Sequence, residues 1–159
     1  MKILFICTHN RCRSILSEAI TNQMAGDKVS AFSAGSEPAG EVHPLSLKYL
    51  QQRGIATGNL SSKSWDEFKT VQPDIVITVC DHAASEPCPV WFGDCIQVHW
   101  GLSDPSKLQV SDEQQKKAFF AVMDTIINRT NKLLALDLNL NSMDKSALKN
   151  ALTTIATEH

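Results

Sequence analysis

No apolar run in the 159-residue chain approaches the length of a membrane span; the first, Ile3 to Cys7, gives way at once to Thr8, His9, Asn10 and Arg11. A spanning helix needs about 20 apolar residues. The same start lacks the form of an ordinary signal peptide, so the expected address is cytoplasmic, without membrane contact. Charge of one sign is also missing: 15 basic side chains stand against 17 acidic ones, a net charge of −2. Without a basic stripe nucleic acid is not an expected partner, and an anionic substrate must be held by local donors. Internal repeats and low-complexity tracts are absent. What remains is one globular domain with enough chain to bury a sizeable core.

Cysteine is not scarce, at five. In a reducing compartment these read as chemistry or metal binding and not as a disulfide scaffold. Zinc is disfavoured, because the only short pair is Cys7 and Cys12, where thiolate ligands would oppose anion binding.

Apolar strands alternate with helical patterns, the signature of a mainly parallel sheet covered on both faces. Strands are expected at Lys2 to Ile6, Val29 to Ser33, Asp74 to Val79 and Ile96 to His99. Helices are expected at Ser14 to Met24, Pro44 to Arg53, Trp65 to Lys69 and Ser111 to Leu134. After Asn139, Ser142 is positioned to cap a last helix with a stripe of Leu148, Leu152 and Ile155; it either docks on the domain or meets a partner. Ligands of such sheets sit beyond the carboxyl ends of the strands. Cys7, Cys80 and Asp104 all fall near such ends.

The informative segment is Cys7-Thr8-His9-Asn10-Arg11-Cys12-Arg13-Ser14, which joins the first strand to the first helix. A loop of N–H donors at a helix N-terminus stabilises an oxyanion, and should lower the Cys7 thiol from its usual value of about 8.5. Arg13 offers a planar fork for two oxygens of a tetrahedral ligand. Asn10 suits a left-handed turn, and Ser14 is placed to hydrogen-bond the Cys7 sulfur. A Cys followed six residues later by Arg is a weak pattern alone; the apolar strand before it and the helical spacing of Ile15, Leu16, Ala19, Ile20 and Met24 after it carry the reading. Taken singly, Cys80 also fits a buried strand-end thiol, Cys88 a turn cysteine between prolines, and Asp104 the cap of a turn before Pro105. Cys12 fits a structural thiol or a protective partner for Cys7, and Cys95 a core position.

That loop, with Ser17-Glu18-Ala19, Ser33-Ala34-Gly35, Val79-Cys80 and Asp104-Pro105 after it, resembles the low-molecular-weight tyrosine phosphatase superfamily, and within it the thioredoxin-coupled arsenate reductases. The paired cysteines Cys80 and Cys88, and His99-Trp100-Gly101 leading into Asp104, favour the reductase branch. The phosphatase branch has neighbouring tyrosines after its Asp-Pro, whereas Ser106 and Lys107 follow here and the single Tyr is Tyr49.

The resemblance, which runs from about Lys2 to Leu134, implies a monomeric α/β domain over 1–136, a flavodoxin-like parallel four-stranded sheet with helices on both faces; the tail it leaves uncovered, 137–159, reads as a C-terminal helical extension. It implies that arsenate docks on Thr8, His9, Asn10, Arg11, Cys12, Arg13 and Ser14, that Cys7 attacks arsenic, and that Asp104 supplies a proton. Cys80 then attacks Cys7 and Cys88 attacks Cys80. No cofactor is held tightly; an external thiol, thioredoxin or else glutaredoxin with glutathione, closes the cycle. Some relatives bind potassium through four side chains, of which Asn10, Glu18 and Ser33 match three. Two other readings compete: a phosphatase that needs Cys7, Arg13 and Asp104 but neither later cysteine, and a non-catalytic oxyanion or redox sensor.

Overall fold

The computed structural model describes residues 1–80, 95–107, 109–136 and 145–157. Cys88 and Ser142 lie outside them. Four strands form one parallel sheet: β1 (Lys2–Cys7), β2 (Ser30–Gly35), β3 (Ile75–Thr78) and β4 (Ile96–His99), in the spatial order β2-β1-β3-β4. Parallel strands buried on both faces need near-continuous apolar sequence, and Ile3 to Ile6 and Ile75 to Ile77 supply it. The register sets Phe5 beside Ser33 and Ile77, and Ile77 beside Val98, on one face.

That face receives helix α1 (Arg13–Ala25), whose Glu18 is hydrogen-bonded to Ser33. On α1 pack α2 (Pro44–Gln52) and α3 (Asp112–Leu134), around Leu16, Ile20, Tyr49, Phe119 and Met123. Local sequence fixes their starts. His43 caps α2 by accepting from Leu45 N at 3.2 Å with Pro44 in the first turn, and Ser111 caps α3 by accepting from Gln114 N at 3.3 Å. A last helix, α4 (Lys145–Thr157), packs on β4 and α3 and buries Leu148, Leu152 and Ile155 in the sheet core. No helix of the described residues is long and apolar enough to cross a membrane.

The expected single α/β domain on a four-stranded parallel sheet is what the chain adopts. Several boundaries move by one residue, β3 for instance covering Ile75–Thr78 of the expected Asp74 to Val79, and two elements differ further. In place of a helix from Trp65 to Lys69 there is one 3-10 turn, Trp65–Phe68, its Phe68 ring 5.7 Å from Phe32 on the second face of the sheet. Ser64 and Glu67 close a capping box on it, and Gln72, with φ 51°, turns the chain back before Pro73, so no length remains to propagate a helix. Strand β2 runs two residues beyond Ser33, because pairing with β1 continues to Cys7 and Gly35 despite the low strand preference of Ala34 and Gly35.

Candidate active site

Strand order reverses about β1, and the cleft at the carboxyl ends of the strands opens there. Its volume is about 640 Å³, and Cys7, Cys80 and Asp104 line it together with loop residues Thr8, His9, Arg11, Cys12 and Arg13. Residues from the ends of three strands thus meet at one rim. Glu37, Ser106 and Lys107, which the sequence did not single out, complete the wall.

The loop is held from behind. Thr8, His9 and Arg11 carbonyls accept from the N–H groups of Glu37, Ala39 and His43, each at 2.9 Å. The N–H groups of His9 to Cys12 donate to no backbone carbonyl among the described residues, and that of His9 meets the Cys7 sulfur. Asn10 takes the expected left-handed conformation, φ 47°. Fully buried, its Nδ2 donates to Ser14 Oγ at 2.8 Å and its Oδ1 accepts from Lys63 N at 2.8 Å, which offsets the local strain. Gly35 closes against the same loop. A Cβ there would strike Thr8 O, and would lie 3.0 Å from Cys7 O and 3.1 Å from Asn10 N.

Arg13 reaches from the first turn of α1 to the loop after β4. Its Nη1 donates to Leu102 O at 3.1 Å and its Nη2 lies 3.6 Å from Asp104 Oδ2, while the buried Nε has no partner among the described residues. Asp104 Oδ1 accepts from Ser106 N at 3.0 Å and Ser106 Oγ at 2.6 Å, which leaves Oδ2 facing Arg13 and, at 3.9 Å, Lys107 Nζ.

Cys80, 3 % exposed, sits against both Cys7 and Thr8, its Sγ 3.6 Å from Thr8 Oγ1. Its hydrogen bond with Cys7, then burial, push the Cys7 thiol upward, while Arg13 and the His9 N–H pull it down. The expected lowered Cys7 is therefore not the state seen here. Two thiols in contact cannot both ionise easily, and from sequence their contact was not foreseeable as a distance. Ser14 Oγ accepts from Asn10, and the hydrogen bond that favours Cys7 thiolate comes from the His9 N–H. Burial raises Cys12 to about 12, so it is a neutral thiol at pH 7. Cys7, Cys12, Cys80 and Cys95 are thiols, none of them in a disulfide.

Glu18 and Ser33 come together with the Lys63 ammonium, whereas Asn10 reaches only the Lys63 main-chain N–H. Ser33 Oγ donates to Glu18 Oε1 at 2.7 Å, and Lys63 Nζ stands 3.7 Å from the same oxygen. Burial raises the Glu18 pKa, and Lys63 and Ser33 oppose the rise. Among the described residues no group of three or more His, Cys, Asp or Glu is arranged to hold a metal ion.

His43 was also missed. Its cap on α2 requires an unprotonated Nδ1, and burial, then Arg11, lower its pKa, against Asp104. The His43-Pro44 step was its one sequence signal. His9 Nδ1 bonds Glu37 O at 3.0 Å and His99 Nδ1 bonds Thr78 Oγ1 at 2.9 Å, both framework contacts.

The profile of the low molecular weight phosphotyrosine protein phosphatase family matches residues 2–148. An arsenate reductase of Halalkalibacterium halodurans is 36% identical over 127 residues, 80% of this chain and 90% of that protein. A solved arsenate reductase in the phosphate binding state is 27% identical with a TM-score of 0.69, over 84% of this chain and 96% of that one. A thioredoxin-dependent arsenate reductase of Corynebacterium glutamicum is 30% identical with a TM-score of 0.62, over 83% of this chain and 59% of that one.

Proposed function

The chain belongs to the low molecular weight phosphotyrosine protein phosphatase family, and we propose that it is an arsenate reductase in which Cys7 is the nucleophile. One observation carries this reading beyond a phosphatase: the Cys80 thiol sits in the oxyanion cleft against Cys7. A phosphatase needs one thiol there. A reductase needs a second, to remove the first as a disulfide.

Arsenate binds on the free N–H groups of the loop and on Arg13. The Cys7 thiolate attacks arsenic and displaces hydroxide, a poor leaving group that Asp104 protonates as it departs. Cys80 thiolate then attacks the Cys7 sulfur; the arsenic–sulfur pair stays with arsenic as arsenite leaves, and a Cys7–Cys80 disulfide forms. Arsenic gains two electrons and the two thiols lose them. Cys88 thiolate next attacks Cys80 and expels Cys7 thiolate. Thioredoxin reduces the Cys80–Cys88 disulfide, with glutaredoxin and glutathione as the rival donor; the Corynebacterium relative is named for thioredoxin.

The test is arsenate-dependent NADPH oxidation with thioredoxin and its reductase, with arsenite assayed directly. Turnover that disappears in Cys88→Ser is the expected result. Turnover only with glutaredoxin would overturn the last step, and aryl phosphate hydrolysis with no arsenite formed would return the chain to the phosphatases.

In this reading the Lys63 ammonium takes the place of a monovalent cation, since it neutralises Glu18 beside Ser33. Wild-type turnover is expected to be indifferent to exchange of potassium for a bulky organic cation. Lys63→Gln should lose activity and regain part of it as potassium is added. A wild-type enzyme that needs potassium would overturn the assignment.

A further inference from the structure

Arg129, on α3, is a buried guanidinium, 9 % exposed, with no carboxylate partner among the described residues. Removing such a charge from water costs several kcal/mol unless hydrogen bonds replace the lost hydration. Its bonds join two places. Nη1 donates to Gly101 O at 3.2 Å, in the segment that leads to Asp104. Nη2 donates to Ala156 O at 3.4 Å, one of the last-turn carbonyls that α4 leaves without a helical partner. The negative end of the α4 dipole favours a cation there. One residue before Gly101, Trp100 Nε1 donates to Leu152 O of α4 at 2.9 Å. One residue after it, Leu102 O is the acceptor for Arg13 Nη1. The joint is closely filled, with a void of only about 10 Å³ between Phe5, Trp100, Leu102 and Arg129.

We propose that α4 positions the Gly101 to Asp104 segment, and through it Arg13, with Arg129 and Trp100 as the positioning residues. The last helix then belongs to the working part of the molecule. It holds the carbonyl that aims the Arg13 fork at the oxyanion and the backbone that carries Asp104. This rests on the reading that the loop binds an oxyanion, but not on the redox relay.

The test uses the full chain and inorganic phosphate, read as protection of Cys7 from alkylation by iodoacetamide well below the melting temperature. Variants are Arg129→Met, Arg129→Lys and Trp100→Phe, with Phe119→Leu as a core change elsewhere on the same helix. Arg129→Met should weaken phosphate protection about tenfold, in line with a small misplacement of a binding group. Arg129→Lys, which keeps the charge but reaches one carbonyl, and Trp100→Phe should weaken it less. Phe119→Leu should lower the melting temperature and leave protection unchanged. In arsenate turnover the Arg129 variants should both raise KM and lower kcat. Protection in Arg129→Met within twofold of wild type overturns the proposal, as does an equal loss in Phe119→Leu. If Arg129→Met does not fold, unchanged protection in both Arg129→Lys and Trp100→Phe overturns it. Absence of protection in the wild type would instead refute the oxyanion reading itself.

Discussion

Cys80→Ala should reduce steady-state arsenate turnover by about 10³ or more, as loss of an essential reacting group does, and should at the same time make Cys7 easier to ionise. The two effects have one origin. In the proposed relay Cys80 is the thiol that attacks Cys7, and in the resting arrangement it is also the first cause that holds Cys7 up. Removing it leaves Arg13 and the His9 N–H, which favour the thiolate, opposed only by burial. A lower pKa means more thiolate at a given pH, so the midpoint for alkylation of Cys7 by iodoacetamide should move to lower pH in Cys80→Ala. Ser is the wrong replacement here, because its hydroxyl oxygen would still accept from the Cys7 thiol. An alkylation midpoint that stays put or rises would show that Cys80 does not hold the Cys7 thiol up. The chemistry gives the arrangement a sense: a neutral pair at rest is a poor target for oxidants, and in the proposed relay Arg13 and the His9 N–H charge Cys7 once Cys80 is turned from it.

The parts of this site that are close in sequence were legible in it. The loop from Cys7 to Ser14 has an apolar strand on one side and a helical period on the other, and the left-handed Asn10 follows from residue type. The strand-end rule brought Cys7, Cys80 and Asp104 to one rim, and they line one cleft. The rule carries no distances, so the contact between two thiols that reverses the expected direction of the Cys7 pKa was beyond it. Lys63 was hidden for a different reason. It lies in coil with no period of its own, and its place is set by Gly35 N donating to Lys63 O and Lys63 N donating to Asn10. Leu148, Leu152 and Ile155 announced a helix, but only Trp100 and Arg129 show where it is tied.

Gly35→Ala is the second large effect, and it follows from backbone contact alone. Gly35 sits at the end of β2 in register with Cys7 at the end of β1, so the two chains that carry the site run side by side at their tips. Its φ is not in the left-handed region, and an alanine meets no intrinsic strain there. The obstacle is what the methyl would touch: Thr8 O, Cys7 O and Asn10 N, all main-chain atoms of the oxyanion loop. A flexible side chain could swing aside, but these atoms are pinned by the bonds from Glu37 N to Thr8 O and from Lys63 N to Asn10 Oδ1. Overpacking of this kind costs about 1 to 3 kcal/mol. Relief comes only by moving the loop outward, which spoils the spacing of its N–H groups for a tetrahedral anion. The expected result is a folded protein with a lower melting temperature and weaker phosphate protection of Cys7, a larger loss of binding than Arg129→Met gives. If Gly35→Ala melts lower but binds phosphate as wild type does, the loop absorbs the methyl without changing shape, and its donors are less rigidly set than the hydrogen bonds behind it imply.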